Sequence, residues 1–112
     1  MRAPFEGCIE GESAGSLKEN IQGKRLLSIG RRGKLLLFHL DDGSILTVHL
    51  RMTGRLTLIS PEEDEEGPHT RLIVYFEQAM ILRFDDPRKF GRVRRFPNQK
   101  VLLGSVKIGP EP

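Results

Sequence analysis

From Arg25 to Phe96 the chain is a succession of short apolar runs, broken every eight to twelve residues by Gly, Asp or Pro. That spacing suits strands of five to seven residues joined by tight turns and is too short for packed helices, so it points to a β-sandwich or barrel. The expected strands are 25–31, 34–40, 44–50, 55–59, 70–76, 80–84 and 91–96. Asp42-Gly43 is a hairpin signal, and turns are expected at Arg32-Gly33, at Arg51-Met52-Thr53-Gly54, near Glu77-Gln78, and at Asp85-Asp86-Pro87. Leu35-Leu36-Leu37-Phe38 and Leu72-Ile73-Val74 are unbroken apolar runs, which predicts cover on both faces of those strands. The fold class is therefore mainly β, an antiparallel sandwich of about six to seven strands.

One short helix is expected ahead of the strands. Ser16-Leu17-Lys18-Glu19 has capping-box spacing, Leu17 and Ile21 are four apart, and Gly23 is placed to stop a helix over 17–22. Residues 1–15 carry three glycines and no sustained period, so irregular structure or one frayed strand around 5–9 is expected there. Residues 104–112 read as an extended exit segment, and the 112 residues as a single domain, 1–112.

The net charge of +3 understates the local field, because Glu62-Glu63-Asp64-Glu65-Glu66 holds five of the fifteen acids. Outside that run, Lys24, Arg25, Arg31, Arg32, Lys34, Arg51 and Arg55 face only Asp41 and Asp42, and seven cations between Met80 and Lys100 face only Asp85 and Asp86. Such segregation suits a polyanion, although it also suits a solvated basic face. Cys8 is the only cysteine, which rules out a disulfide framework or a Cys-rich zinc site within the chain and favours a reducing, cytoplasmic setting. The three histidines have no metal-ligand spacing, and no export signal, membrane run, nucleotide-binding glycine loop or nucleophile elbow occurs. The expected metal and cofactor content is none.

Three turns can carry chemistry. Arg31-Arg32-Gly33-Lys34 puts cations on a glycine-relieved bend that can approach a phosphate. His49-Leu50-Arg51-Met52-Thr53-Gly54 sets an apolar Met at a hairpin tip, and Asp86-Pro87-Arg88-Lys89-Phe90-Gly91 presents two cations and an aromatic on a proline-stiffened turn. Apolar wedges at tips part base steps in DNA-bending proteins, but residue type alone favours Met52 and Phe90 merely capping the core. His69, at the start of a strand, is within reach of a phosphate or is an ordinary surface residue.

In order, Arg31-Arg32-Gly33-Lys34-Leu35-Leu36-Leu37-Phe38, His49-Leu50-Arg51-Met52-Thr53-Gly54-Arg55-Leu56, Asp86-Pro87-Arg88-Lys89-Phe90-Gly91 and Gly109-Pro110-Glu111-Pro112 resemble the N-terminal lobe of the formamidopyrimidine-DNA glycosylase and endonuclease VIII family. The resemblance implies a base-excision-repair DNA glycosylase and abasic-site lyase that flips an oxidised base such as 8-oxoguanine out of duplex DNA. It implies that Met52, Arg88 and Phe90 fill the gap left by the flipped base. It also implies that Lys34 contacts backbone phosphate and serves proton transfer during elimination, with His69, Arg32 and Lys89 as further DNA-binding residues.

The same resemblance brings departures. The family begins Met-Pro-Glu, whose proline nitrogen is the nucleophile, whereas this chain begins Met1-Arg2-Ala3-Pro4. The nitrogen of Pro4 is an internal tertiary amide with no lone pair to offer unless three residues are removed. Neither the helix-two-turns-helix part nor the zinc finger of the second lobe is found. Arg51 stands where the family commonly has Gly, and Arg71 where a second His is frequent. The expectation is a monomeric, catalytically incomplete lobe that binds damaged double-stranded DNA, with a separate chain able to supply the second lobe and with no membrane partner. The alternatives are a non-enzymatic DNA-binding fragment and a gene remnant.

Overall fold

Each apolar run becomes a strand: β1 (Leu26–Arg32), β2 (Leu35–Leu40), β3 (Ile45–His49), β4 (Arg55–Ile59), β5 (Thr70–Phe76), β6 (Met80–Asp85) and β7 (Arg92–Phe96). The computed structural model describes residues 1–51, 54–60, 62, 67–76, 80–88 and 91–105. The strands form two antiparallel sheets, one ordered β1-β2-β3-β7 and the other β4-β6-β5. The chain crosses between them twice, leaving the first sheet after His49 and returning to it between Asp85 and Arg92.

Side chains of alternate strand residues meet between the sheets. Phe38, Leu40, Leu46, Val48 and Val93 come from the first sheet, and Leu72, Val74, Phe76, Leu82 and Phe84 from the second. Each such side chain, fully buried, contributes about 1.5–3 kcal/mol, so this layer is the main source of cohesion. A smaller cluster on the outer face of the first sheet joins Leu37, Ile45 and Phe96 to Leu102 of helix α2 (Gln99–Ser105). Leu37 is thus covered on the outer face and Phe38 on the inner one, as the run's apolarity predicts, while Leu35 is covered only in part.

Helix α1 (Ala14–Ile21) buries Leu17 and Ile21 against the core. It starts three residues earlier than the capping box suggests, because Ser13 rather than Ser16 is the cap: Ser13 Oγ accepts from the Ser16 backbone N–H at 3.1 Å. The Ser16 hydroxyl is taken by Glu12, donating to its Oε1 at 2.7 Å, and Glu12 also accepts from Asn20 and lies 3.4 Å from Arg95 Nε. Gly23 ends the helix with φ +74°, as expected.

The segment ahead of α1 holds a single 3-10 turn, Glu6–Cys8, between two isolated bridges rather than a strand over 5–9. Arg2 exchanges backbone hydrogen bonds with Ile73 at 2.9 and 2.7 Å, on the edge of β5, and the Glu10 N–H donates to Val93 O at 2.8 Å, on the edge of β7. The segment therefore ties the outer strand of one sheet to the outer strand of the other. Helix α2 replaces the start of the extended exit. Asn98 Oδ1 accepts from the Val101 N–H at 2.9 Å, a capping arrangement that Pro97-Asn98 signals in the sequence. The rest of the exit, 106–112, and the acidic run at 63–66 lie outside the described residues. Among the described residues no helix is long and apolar enough to cross a membrane.

Candidate nucleic-acid interface

The double crossing draws the chemistry-bearing turns to one end of the sandwich. Strand register places the end of β3 beside the start of β7 (His49 opposite Arg92), and the end of β6 beside the starts of β4 and β5 (Asp85 opposite Arg55 and Thr70). The β1–β2 turn joins them, since Leu35 pairs with His49 and the Leu50 N–H donates to Lys34 O at 2.9 Å. Four segments distant in sequence, around 33–34, 50–54, 67–69 and 86–91, thereby share one end.

Phe84 fixes two of them. A Cβ added at Gly54 would lie 3.0 Å from the Phe84 ring and 2.5 Å from Leu50 O, and one added at Gly91 would collide with the tip of the same ring. The two glycines let both turns close onto one buried aromatic, which no larger residue permits. Met52 and Phe90 sit between these anchor points in sequence, and they and Lys89 lie outside the described residues.

Asp86 organises the second turn. It is fully buried, its carboxylate accepts from the Gly91 N–H at 2.6 Å and the Arg88 N–H at 3.2 Å, and its own N–H donates to His69 O at 2.9 Å. Arg71 Nε adds a bond to Asp86 O at 2.8 Å. One residue therefore closes the turn that exposes Arg88 and fastens it to the segment carrying His69, also exposed. By sequence, the stiffness of this turn is ascribed to Pro87, and the carboxylate goes unremarked. The signal is present nonetheless, because an Asp two residues before Arg88 can bond back to the backbone as an Asx turn. Thr70 supports the same region: its hydroxyl accepts from the Gly67 N–H at 2.8 Å and donates to Asp85 Oδ1 at 2.7 Å, while Arg83 pairs with the other Asp85 oxygen at 2.9 Å.

On the first turn Gly33 takes φ +60°, leaving Lys34 exposed and Arg32 half-buried on the strand. Arg51 holds φ +58°, a left-handed conformation costly for a residue with a Cβ, and its N–H donates to the His49 ring Nδ1 at 3.1 Å. A glycine would take that conformation freely, which gives a physical reason for the family's common Gly at this place. Burial holds the His49 imidazole below its ordinary pKa, helped by the charges of Arg51 and Lys34 and opposed by Glu10. His49, Lys34 and Arg51 thus sit in one positive field. The Cys8 thiol, buried under the core, is pushed up to about 11, chiefly by desolvation, and is unsuited to serve as a nucleophile. Among the described residues no group of three or more His, Cys, Asp or Glu is placed to hold a metal ion.

Of the predicted site residues, Lys34, Arg32, His69 and Arg88 are thus brought to one basic end. A family model described as the formamidopyrimidine-DNA glycosylase N-terminal domain matches residues 5–93. The chain belongs to the formamidopyrimidine-DNA glycosylase N-terminal domain family. Among its relatives, the formamidopyrimidine-DNA glycosylase of Heliobacterium modesticaldum is 42% identical over 96 residues, which are 82% of this chain and 35% of the relative. That of Pelotomaculum thermopropionicum is 40% identical over 106 residues, 93% of this chain and 38% of the relative. Among solved structures, Lactococcus lactis formamidopyrimidine-DNA glycosylase with a FAPY-dG-containing DNA superposes with a TM-score of 0.84 at 33% identity, covering 99% of this chain and 42% of that one. A complex of the Lactococcus lactis protein with DNA containing an abasic site gives 0.84 and 33%, covering 99% and 41%. The chain spans a little over a third of the length of these sequence relatives and about two fifths of these structures. The mainly β two-sheet fold of the glycosylase N-terminal domain is the fold observed here.

Proposed function

We propose that this chain is the damage-reading half of a base-excision-repair DNA glycosylase and abasic-site lyase, acting on duplex DNA that carries an oxidised purine. The observation that carries the reading is the gathering of four loops at one basic end, with the 50–54 and 86–91 turns both closed on Phe84. Two turns anchored side by side at Gly54 and Gly91 can enter a duplex at one base step, where a flipped base leaves a gap. In this reading Arg88, with Met52 and Phe90, fills the gap, while His69, Arg32 and Lys89 hold backbone phosphates. Lys34, exposed beside the anchored turn, contacts phosphate and moves the proton during elimination. The lesion class follows the solved relatives, whose DNA carries FAPY-dG or an abasic site.

The chemistry that forms a covalent link to the sugar is not assigned to these residues. Pro4 is exposed, but its nitrogen is acylated by Ala3 and cannot form a Schiff base.

Fluorescence anisotropy with matched duplexes tests the reading. The chain is expected to bind an abasic-site duplex more tightly than an intact one, and Met52→Ala and Arg88→Ala should shrink that preference. Equal affinity for both duplexes, with neither substitution having an effect, would remove the gap-filling role.

A further inference from the structure

The outer face of the β1-β2-β3-β7 sheet has two unlike halves. Register aligns its residues in rows across the strands: Arg32, Leu35, His49 and Arg92 nearest the loops, then Gly30, Leu37, Thr47 and Arg94, then Ser28, His39, Ile45 and Phe96. Helix α2 lays Leu102 on Leu37, Ile45 and Phe96 and so covers the far half. The near half stays open as a groove of about 180 Å³, walled by Arg51, Arg92 and Arg94, floored by Leu35 and Phe96, with Glu10 as the acid among its lining residues.

Arg94 is held in place rather than loose. Its guanidinium carbon lies 4.8 Å from the centroid of the Phe96 ring, and its Nε would be 2.9 Å from a Cβ at Gly11, whose φ of +83° suits glycine. A guanidinium stacked on an aromatic keeps its N–H edge available for an oxyanion at reduced entropic cost. The spacing suits a regular polyanion: Arg92 and Arg94, two residues apart on one strand, project about 6.6 Å apart, close to the separation of successive phosphates along one nucleic-acid strand. Across the sheet, Arg32 and Arg92 are three strand spacings apart, about 14 Å.

We infer that this half-face is a second phosphate track, in which Arg92 and Arg94 hold the DNA backbone beyond the loops that read the lesion, continuing from Arg32 at the loop end. The track rests on the DNA-binding reading above and extends its footprint from the loop end onto the sheet. Nothing in the track distinguishes damaged from intact DNA, because backbone contacts position a duplex without reading it. It therefore adds affinity and salt dependence but no discrimination.

The test uses the 112-residue chain and two abasic-site duplexes, one ending just beyond the lesion and one extended by a full helical turn on each side. The double variant Arg92→Gln/Arg94→Gln is expected to bind the long duplex on the order of tenfold more weakly, with a salt slope lower by about 1.8, at roughly 0.9 for each phosphate no longer neutralised. Binding to the short duplex should stay at the wild-type level, as should the preference for abasic over intact DNA. Arg92→Lys/Arg94→Lys should keep the wild-type salt slope on the long duplex, and Glu10→Gln, which leaves both arginines in place, should strengthen binding to it. Wild-type affinity and slope for the double Gln variant on the long duplex would overturn the track, as would equal weakening on both lengths or no gain from Glu10→Gln. In those cases a wild-type preference for abasic DNA leaves the proposed function standing. A wild-type chain that binds neither duplex would remove both.

Discussion

Asp86→Ala is the most informative single substitution in the loop cluster. The wild-type carboxylate accepts two backbone N–H groups, Gly91 at 2.6 Å and Arg88 at 3.2 Å, in a site with no solvent exposure. Bonds to a charged acceptor contribute about 1.5–3 kcal/mol each, and removing a buried charge returns part of its desolvation cost, so the net loss is about 2–4 kcal/mol. A domain of 112 residues has a total stability of roughly 6–17 kcal/mol, so the loss is a large fraction of it. Asp86→Asn keeps a carbonyl for one N–H but turns an NH₂ toward the other, and should cost less, about 1–2 kcal/mol. Urea unfolding followed by far-UV circular dichroism measures both, since the chain has no Trp. The midpoint should fall with an unchanged m-value. Arg88 would also lose its fixed turn, so Asp86→Ala should narrow the affinity gap between abasic and intact duplexes. An Asp86→Ala variant within about 0.5 kcal/mol of wild type, with the gap intact, would refute the assignment of the turn's rigidity to this carboxylate.

Gly91→Ala should destabilise by about 1–3 kcal/mol, because the new methyl meets the Phe84 ring, His49 O at 3.0 Å and Asp86 Oδ2 at 3.1 Å. Gly15→Ala is the opposing control: nothing lies within 4 Å of its Cβ and it sits inside α1, so it should stabilise by about 0.5–1 kcal/mol in a thermal melt. Ser13→Ala should cost about 0.5–2 kcal/mol through loss of the helix cap; if Ser16→Ala proves costlier, the cap has been misassigned. The lowered pKa of His49 means that the unfolded chain binds more protons than the folded one just below pH 6.5, so this group's contribution to stability is present above 6.5 and is lost as pH falls through its folded value. The stability difference between wild type and His49→Gln should therefore shrink from pH 7.5 to pH 5, and a difference that grows on acidification would contradict the burial of the neutral ring.

Strand positions were readable because the period-2 pattern and the turn residues are local. The seven expected strands match the observed ones to within one or two residues at each end. Local competition defeated the helix start, where Glu12 drew the Ser16 hydroxyl away and left Ser13 as the cap. Helix α2 escaped because its apolar contact, Leu102, has meaning only against Leu37, Ile45 and Phe96 on strands far back in the chain. In the site, motif comparison picked out Lys34, Arg32, His69 and Arg88, which share one end of the fold. Gly54, Asp86 and Gly91 lie inside the motifs and Phe84 inside the 80–84 strand, but the part each plays depends on contacts that no local pattern encodes.

By itself the sequence determined a small β-rich domain, where its turns fall, and which of them carry cations and apolar tips, since all of these follow from neighbours a few residues apart. Only the tertiary structure decided that the turns share an end, that Phe84 and the Asp86 carboxylate lock two of them, and that Arg32, His49, Arg92 and Arg94 form adjoining rows on one open half-face. The physical reason is sheet pairing. Hydrogen-bond register across strands separated by tens of residues sets which side chains become neighbours, and that register is fixed by burial of the whole core rather than by any short stretch of chain.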